Sequence, residues 1–140
     1  MFYLILVSHG DFAQGLQSAL EMIVGKRENV LAVGLKEELG AERYAAAVEK
    51  LIAPITAQDR IILLGDILGG SPLTTAMKVL ADKGLFMQTR AFGGMNLPMA
   101  LMAALSGENT SPDELGKMLL GEARSAVQEF VIEIAEDEEI

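Results

Sequence analysis

The chain contains no cysteine and no tryptophan, a single histidine, and fewer basic than acidic residues, 11 against 20. Without cysteine there are no disulfides, no thiolate nucleophile and no cysteine-ligated zinc or iron–sulfur centre. One histidine also cannot build a multi-histidine metal site within one chain. No metal or other cofactor is therefore expected. The apolar run near the start covers only residues 2–7 and follows no basic residue. It falls far short of the roughly 18 residues that span a bilayer, so neither a leader peptide nor a membrane anchor is expected, and a reducing, cytoplasmic location fits. The formal net charge of −9 works against a phosphate backbone, whose binding depends on clustered Lys and Arg. Nucleic acid is excluded as an expected partner, whereas a basic protein surface would be attracted.

What is present suits one compact unit. A length of 140 residues with 51% hydrophobic content is enough for a single core. One domain is expected over residues 1–135, followed by a frayed acidic tail over 136–140 that includes Asp137, Glu138 and Glu139.

Short β-rich runs at residues 2–8, 30–35, 60–66 and 86–92 alternate with helical patterns. Their nearly continuous apolarity predicts strands buried on both faces, as in a parallel sheet. Phe12, Leu16, Ala19, Leu20 and Ile23 recur at helical spacing, and residues 41–52 and 73–82 supply two more helices. Ser71 before Pro72 reads as a helix cap. Ser111 before Pro112, with Glu114 three positions later, has capping-box spacing. Helices over 72–82, 98–105 and 112–126 follow, and residues 130–134 read as a last strand that lies at an edge or pairs with another chain. The fold class is α/β, an open and mainly parallel sheet flanked by helices.

In such sheets ligands bind outside the carboxyl ends of the strands. Three marked segments fall there: His9-Gly10 after the first strand, Asp66 and Gly69-Gly70-Ser71-Pro72 after the third, and Gly93-Gly94 ahead of Asn96-Leu97-Pro98 after the fourth. This set suits phosphoryl transfer through a phosphohistidine. A neutral imidazole attacks through one nitrogen, and a carboxylate on the other fixes the tautomer and stabilises positive charge. His9 is the candidate nucleophile and Asp66 the candidate orienter. Gly10, Gly70, Ser71 and the helix starts near Asp11 and Ser71 are candidate phosphate donors. Taken singly, each has a plainer reading: a lone histidine is often structural, Gly-Gly-Ser-Pro is a capped turn, and Asp66 is a loop carboxylate with local partners. Met95, Met99 and Met102 read as core or subunit interface.

Leu6-Val7-Ser8-His9-Gly10, Gly65-Asp66-Ile67-Leu68-Gly69-Gly70-Ser71-Pro72 and Gly94-Met95-Asn96-Leu97-Pro98-Met99 together resemble, in order and spacing over nearly the whole chain, the mannose-family enzyme IIA of the bacterial phosphoenolpyruvate-dependent sugar phosphotransferase system. The resemblance implies a phosphotransferase-system carrier that takes phosphate from phospho-HPr on His9, through Nε2, and passes it to enzyme IIB for sugar uptake. It implies Asp66 as the Nδ1 partner, Ser71 as a phosphate-side donor, and contact with the membrane permease only through IIB. It also implies a homodimer with an exchanged C-terminal strand, for which 130–134 is the candidate, and a separate IIB polypeptide. Many members carry an aromatic residue before the Gly-Gly, where this chain has Leu68, which leaves the sugar branch open.

Three other readings compete. A histidine phosphatase also sets His-Gly after its first strand, but it adds an adjacent arginine and a second histidine, and here Ser8 precedes the only histidine. A receiver-like module phosphorylated on Asp66 would carry an acidic pair after the first strand to hold Mg²⁺, where this chain has His9-Gly10. A regulatory binding module controlled by His9 phosphorylation uses the same site and differs only in its partner.

Overall fold

The computed structural model describes residues 1–134, so the acidic tail expected over 136–140 lies outside the described residues. Four strands alternate with helices: β1 (Phe2–His9), α1 (Phe12–Val24), β2 (Val30–Leu35), α2 (Gly40–Leu51), β3 (Arg60–Gly65), α3 (Ser71–Asp82), β4 (Thr89–Phe92), α4 (Leu97–Ser106) and α5 (Pro112–Ser125). All pairings are parallel, in the order β2-β1-β3-β4. Leu6 lies opposite Leu64 and Val7 opposite Gly65, so β1 and β3 end side by side.

Alternation along β1 divides the interior into two layers. Phe2, Leu4 and Leu6 face α1, α4 and α5, where they meet Leu16, Leu20, Met99, Leu115 and Leu119. Ile5 and Val7 face α2 and α3 and meet Tyr44, Val48, Leu73, Ala76 and Leu80. Each fully buried aliphatic side chain contributes about 1.5–3 kcal/mol of transfer free energy, so the two central strands anchor the domain. The expectation of strands buried on both faces holds for β1 and β3. The edge strands β2 and β4 are largely half-buried, because each has a neighbour on one side only.

The structure differs from the sequence reading in three places. The fourth strand begins at Thr89 rather than near residue 86. Gly84, with φ of 77°, ends α3, and a turn in which the Thr89 N–H donates to the Phe86 carbonyl occupies the gap, leaving Phe86 and Met87 exposed. The cap of α3 is Gly70 rather than Ser71, since the Thr74 N–H already bonds to the Gly70 carbonyl and Ser71 is the first helical residue. Residues 130–134 carry no regular secondary structure, because no strand among the described residues is aligned with them to supply ladder bonds. By contrast, Ser111 caps α5 by accepting from Glu114 N–H, as its spacing predicts. Asn96 accepts from Met99 N–H and donates to Ala123 O, which joins α4 to α5. Met95 and Met99 are core residues.

Candidate functional site

From β1 the chain runs through α1 to β2 on one side, then crosses over β1 to β3 on the other. Helices α1 and α3 leave their strands on opposite faces of the sheet. This reversal opens a crevice at the carboxyl ends of β1 and β3, the usual ligand position in open parallel sheets. His9 is the last residue of β1, and Asp66 directly follows β3.

Asp66 is held from three directions. Its Oδ2 accepts from the His9 backbone N–H at 3.0 Å and lies 2.9 Å from His9 Nδ1, while Oδ1 accepts from Ile67 N–H at 2.9 Å. Burial alone would raise the carboxyl pKa, but the bonds from the His9 backbone, the His9 ring and Ile67 outweigh it, and the pKa stays below the ordinary aspartate range. The carboxylate can only accept, so in the neutral ring Nδ1 carries the proton and Nε2 keeps its lone pair. His9 is half exposed whereas the Asp66 side chain is 14% exposed, so the free nitrogen belongs to the accessible partner.

The surrounding backbone fits closely. The Gly94 N–H donates to the Asp66 carbonyl and the Met95 N–H to the Gly65 carbonyl, so the Gly93-Gly94 turn braces the Asp66 loop. A Cβ built on Gly70 would lie 3.1 Å from His9 Cε1, so the start of α3 abuts the imidazole and any side chain there would press on it. Gly10 closes β1 with φ of +54° and donates its N–H to Leu35 O. Its carbonyl lies so near β2 that a Cβ on Gly34 would fall 1.8 Å from it. Ser71 is exposed at the first position of α3, and its hydroxyl has no hydrogen-bond partner among the described residues. Beside His9 an open cleft of about 470 Å³ is lined by Gly10, Lys36, Glu37 and Gly40, and Lys36 pairs with Asp11 at 3.0 Å.

All five candidate residues thus share this edge: His9 and Asp66 in direct contact, Gly70 against the ring, Gly10 in the adjoining turn, and Ser71 at the start of α3. Asn96 of the third motif serves as a helix cap instead. Sequence reasoning missed Ser8, whose buried hydroxyl on β1 accepts from Ala13 N–H at 2.7 Å in the first turn of α1, where the N-cap residue Asp11 makes no side-chain capping bond. It also missed Lys36 and Gly34. A glycine inside the apolar run of β2 is a recognised sign of close backbone approach and was the available signal for Gly34. Among the described residues no cluster of three acidic or histidine side chains is gathered to hold a metal, and no helix is long and apolar enough to cross a membrane.

A histidine bonded to a carboxylate at the switch point of a doubly wound parallel sheet is an arrangement chemically suited to nucleophilic group transfer. Residues 3–120 match the family model described as the PTS system fructose IIA component, and the chain belongs to this EIIA-man family of the sugar phosphotransferase system. It is 27% identical over 127 residues to the mannose-specific EIIAB component of Escherichia coli K12, covering 89% of this chain but 38% of that protein. The chain thus spans well under half the length of this relative. It is 28% identical over 101 residues to the fructose-specific EIIA component of Bacillus subtilis, covering 72% of this chain and 67% of that protein. The solved structure of the mannose/sorbose-specific IIA subunit of the phosphotransferase system from Enterococcus faecalis superimposes with a TM-score of 0.73 at 32% identity, over 95% of this chain and 97% of that one.

Proposed function

We propose that this chain is a phosphoryl carrier, phosphorylated by phospho-HPr on His9 Nε2 and discharged to an enzyme IIB. The observation that carries the proposal is the 2.9 Å contact between Asp66 Oδ2 and His9 Nδ1, which leaves Nε2 as the unprotonated, accessible nitrogen. In the forward step Nε2 attacks phosphorus, a new P–N bond forms as the bond to the donor breaks, and the Nδ1 proton stays on the ring. The resulting positive charge is stabilised by Asp66. N–H groups at the start of α3 that have no acceptor among the described residues, with the Ser71 hydroxyl, are suited to the phosphoryl oxygens. Phe12, Leu39, Ile67 and Leu68 are exposed on the segments around the crevice, a surface suited to protein partners. The receiver-like alternative is disfavoured by the state of Asp66, which is largely buried and committed to three donors.

The protein is further proposed to work as a homodimer. The outer edge of β4 lacks a strand partner among the described residues, and a groove of about 460 Å³ runs beside it, lined by Arg90, Phe92, Gly116 and Lys117. Phe130, Val131, Ile132 and Ile134 are exposed on a segment free to add to that edge in a second copy.

Labelled phosphoenolpyruvate tests the carrier function directly. Label should enter only with enzyme I and HPr present, should be absent from His9→Ala, and should sit in a bond labile to acid but stable to alkali. Full labelling of His9→Ala, with a hydroxylamine-sensitive bond lost in Asp66→Ala, would instead favour an aspartyl phosphate.

A further inference from the structure

We propose that Tyr44 is a positioning residue for the phosphoryl site, acting through the Pro72–Leu73 peptide in the first turn of α3. The inference rests on the carrier reading above. Tyr44 lies on α2, is 3% exposed, and packs in the layer shared by α2 and α3. Its hydroxyl donates to the Pro72 carbonyl at 2.7 Å, a buried bond between residues 28 positions apart. Burial first and the charge of Asp66 second push the phenol pKa well above its ordinary range, which favours the protonated, donating form of Tyr44.

The bond matters because of where its acceptor sits. At the start of α3 the Thr74 N–H is taken by Gly70 O and Pro72 has no N–H, which leaves the Ser71 and Leu73 N–H groups without acceptors among the described residues. The Leu73 N–H belongs to the same resonant peptide unit as the Pro72 carbonyl. Donation from Tyr44 to the oxygen polarises that unit, strengthens the Leu73 N–H as a donor and fixes the plane of the peptide. The same turn is tightly confined. A Cβ on Gly65 would meet Leu73 Cβ at 3.0 Å, and one on Gly70 would meet His9 Cε1 at 3.1 Å. A change in the tilt of this turn is therefore transmitted to the imidazole. A residue that only filled space in this apolar layer would need no hydroxyl.

The experiment uses Tyr44→Phe alongside wild type in single-turnover transfer from phospho-HPr, with ¹⁵N–¹H amide spectra and thermal unfolding of both. Transfer at saturating donor should slow roughly fivefold, the half-saturating HPr concentration should stay unchanged because Tyr44 does not reach the surface, and the Leu73 amide proton should move upfield. Biosynthetic replacement of tyrosine by 3-fluorotyrosine, a stronger donor of similar shape, should move the Leu73 amide downfield. The other tyrosine, Tyr3, lies at the far end of β1 from His9, so labelling it does not confuse the result. Equal transfer rates with an unmoved Leu73 amide would overturn the inference, and so would a lowered melting temperature with equal rates. If Tyr44→Phe fails to fold, the fluorotyrosine arm decides by the Leu73 shift. A wild type that takes no label from phospho-HPr defeats the carrier reading instead, and the Leu73 shifts still decide the action of Tyr44.

Discussion

The crevice between β1 and β3 and the outer edge of β4 are opposite cases of polar and apolar bookkeeping. At the crevice each carboxylate oxygen of Asp66 has a partner from its own chain, and among the described residues the groups left open are a ring nitrogen of His9 and the donors at the start of α3. At the β4 edge the backbone has no neighbouring strand among the described residues, and the apolar side chains at 130–134 are exposed. A site that performs chemistry repeatedly must be preorganised before the partner arrives, whereas a surface completed by a second molecule can remain unfinished in the single chain. The two regions should therefore fail independently.

The largest expected effect is at the crevice. Asp66→Ala should slow phosphorylation about 10²-fold or more, as for loss of a positioned acid–base partner, while circular dichroism shows an intact fold. A rate within about twofold of wild type would remove Asp66 from the mechanism. Next, truncation before Phe130 should weaken the dimer at least about tenfold in sedimentation, equivalent to ~1.4 kcal/mol, while His9 is still labelled. A full-length protein that is monomeric at micromolar concentration would defeat the dimer and leave the crevice untouched.

The smallest effect is a pH dependence of stability. The folded pKa of Asp66 lies below its unfolded value, so the stabilisation is complete above the ordinary aspartate value of about 4 and is lost as pH falls through the lower folded value. Asp59 is also depressed, chiefly by the Thr56 N–H, and contributes in the same direction in any variant that retains it. The gap in melting temperature between wild type and Asp66→Asn should therefore shrink on acidification from about pH 6 to about pH 3. A constant gap would mean that the His9–Asp66 contact does not persist in solution.

Local features were legible in the sequence because their causes are local. The apolar runs of strand length before residue 93, the helical spacing from Phe12 to Ile23, and the cap at Ser111 depend on residues only a few positions apart, and each element they predict is present. The boundaries that slipped, at residue 86 and at Ser71, slipped where a glycine took over the turn or the cap. The strand reading of 130–134 failed within the single chain because a strand requires a partner as well as a composition.

By itself the sequence determined the α/β alternation and the location of His9, Asp66 and the Gly69-Gly70-Ser71-Pro72 turn at strand ends. Tertiary structure alone decided the order β2-β1-β3-β4, which brings residues 57 positions apart to 2.9 Å at His9 and Asp66. It alone set Tyr44 under the first turn of α3 and forced Gly34 against Gly10. These relations depend on which strands pair and which helix faces meet, and burial across the two layers selects them through contacts that no local spacing encodes.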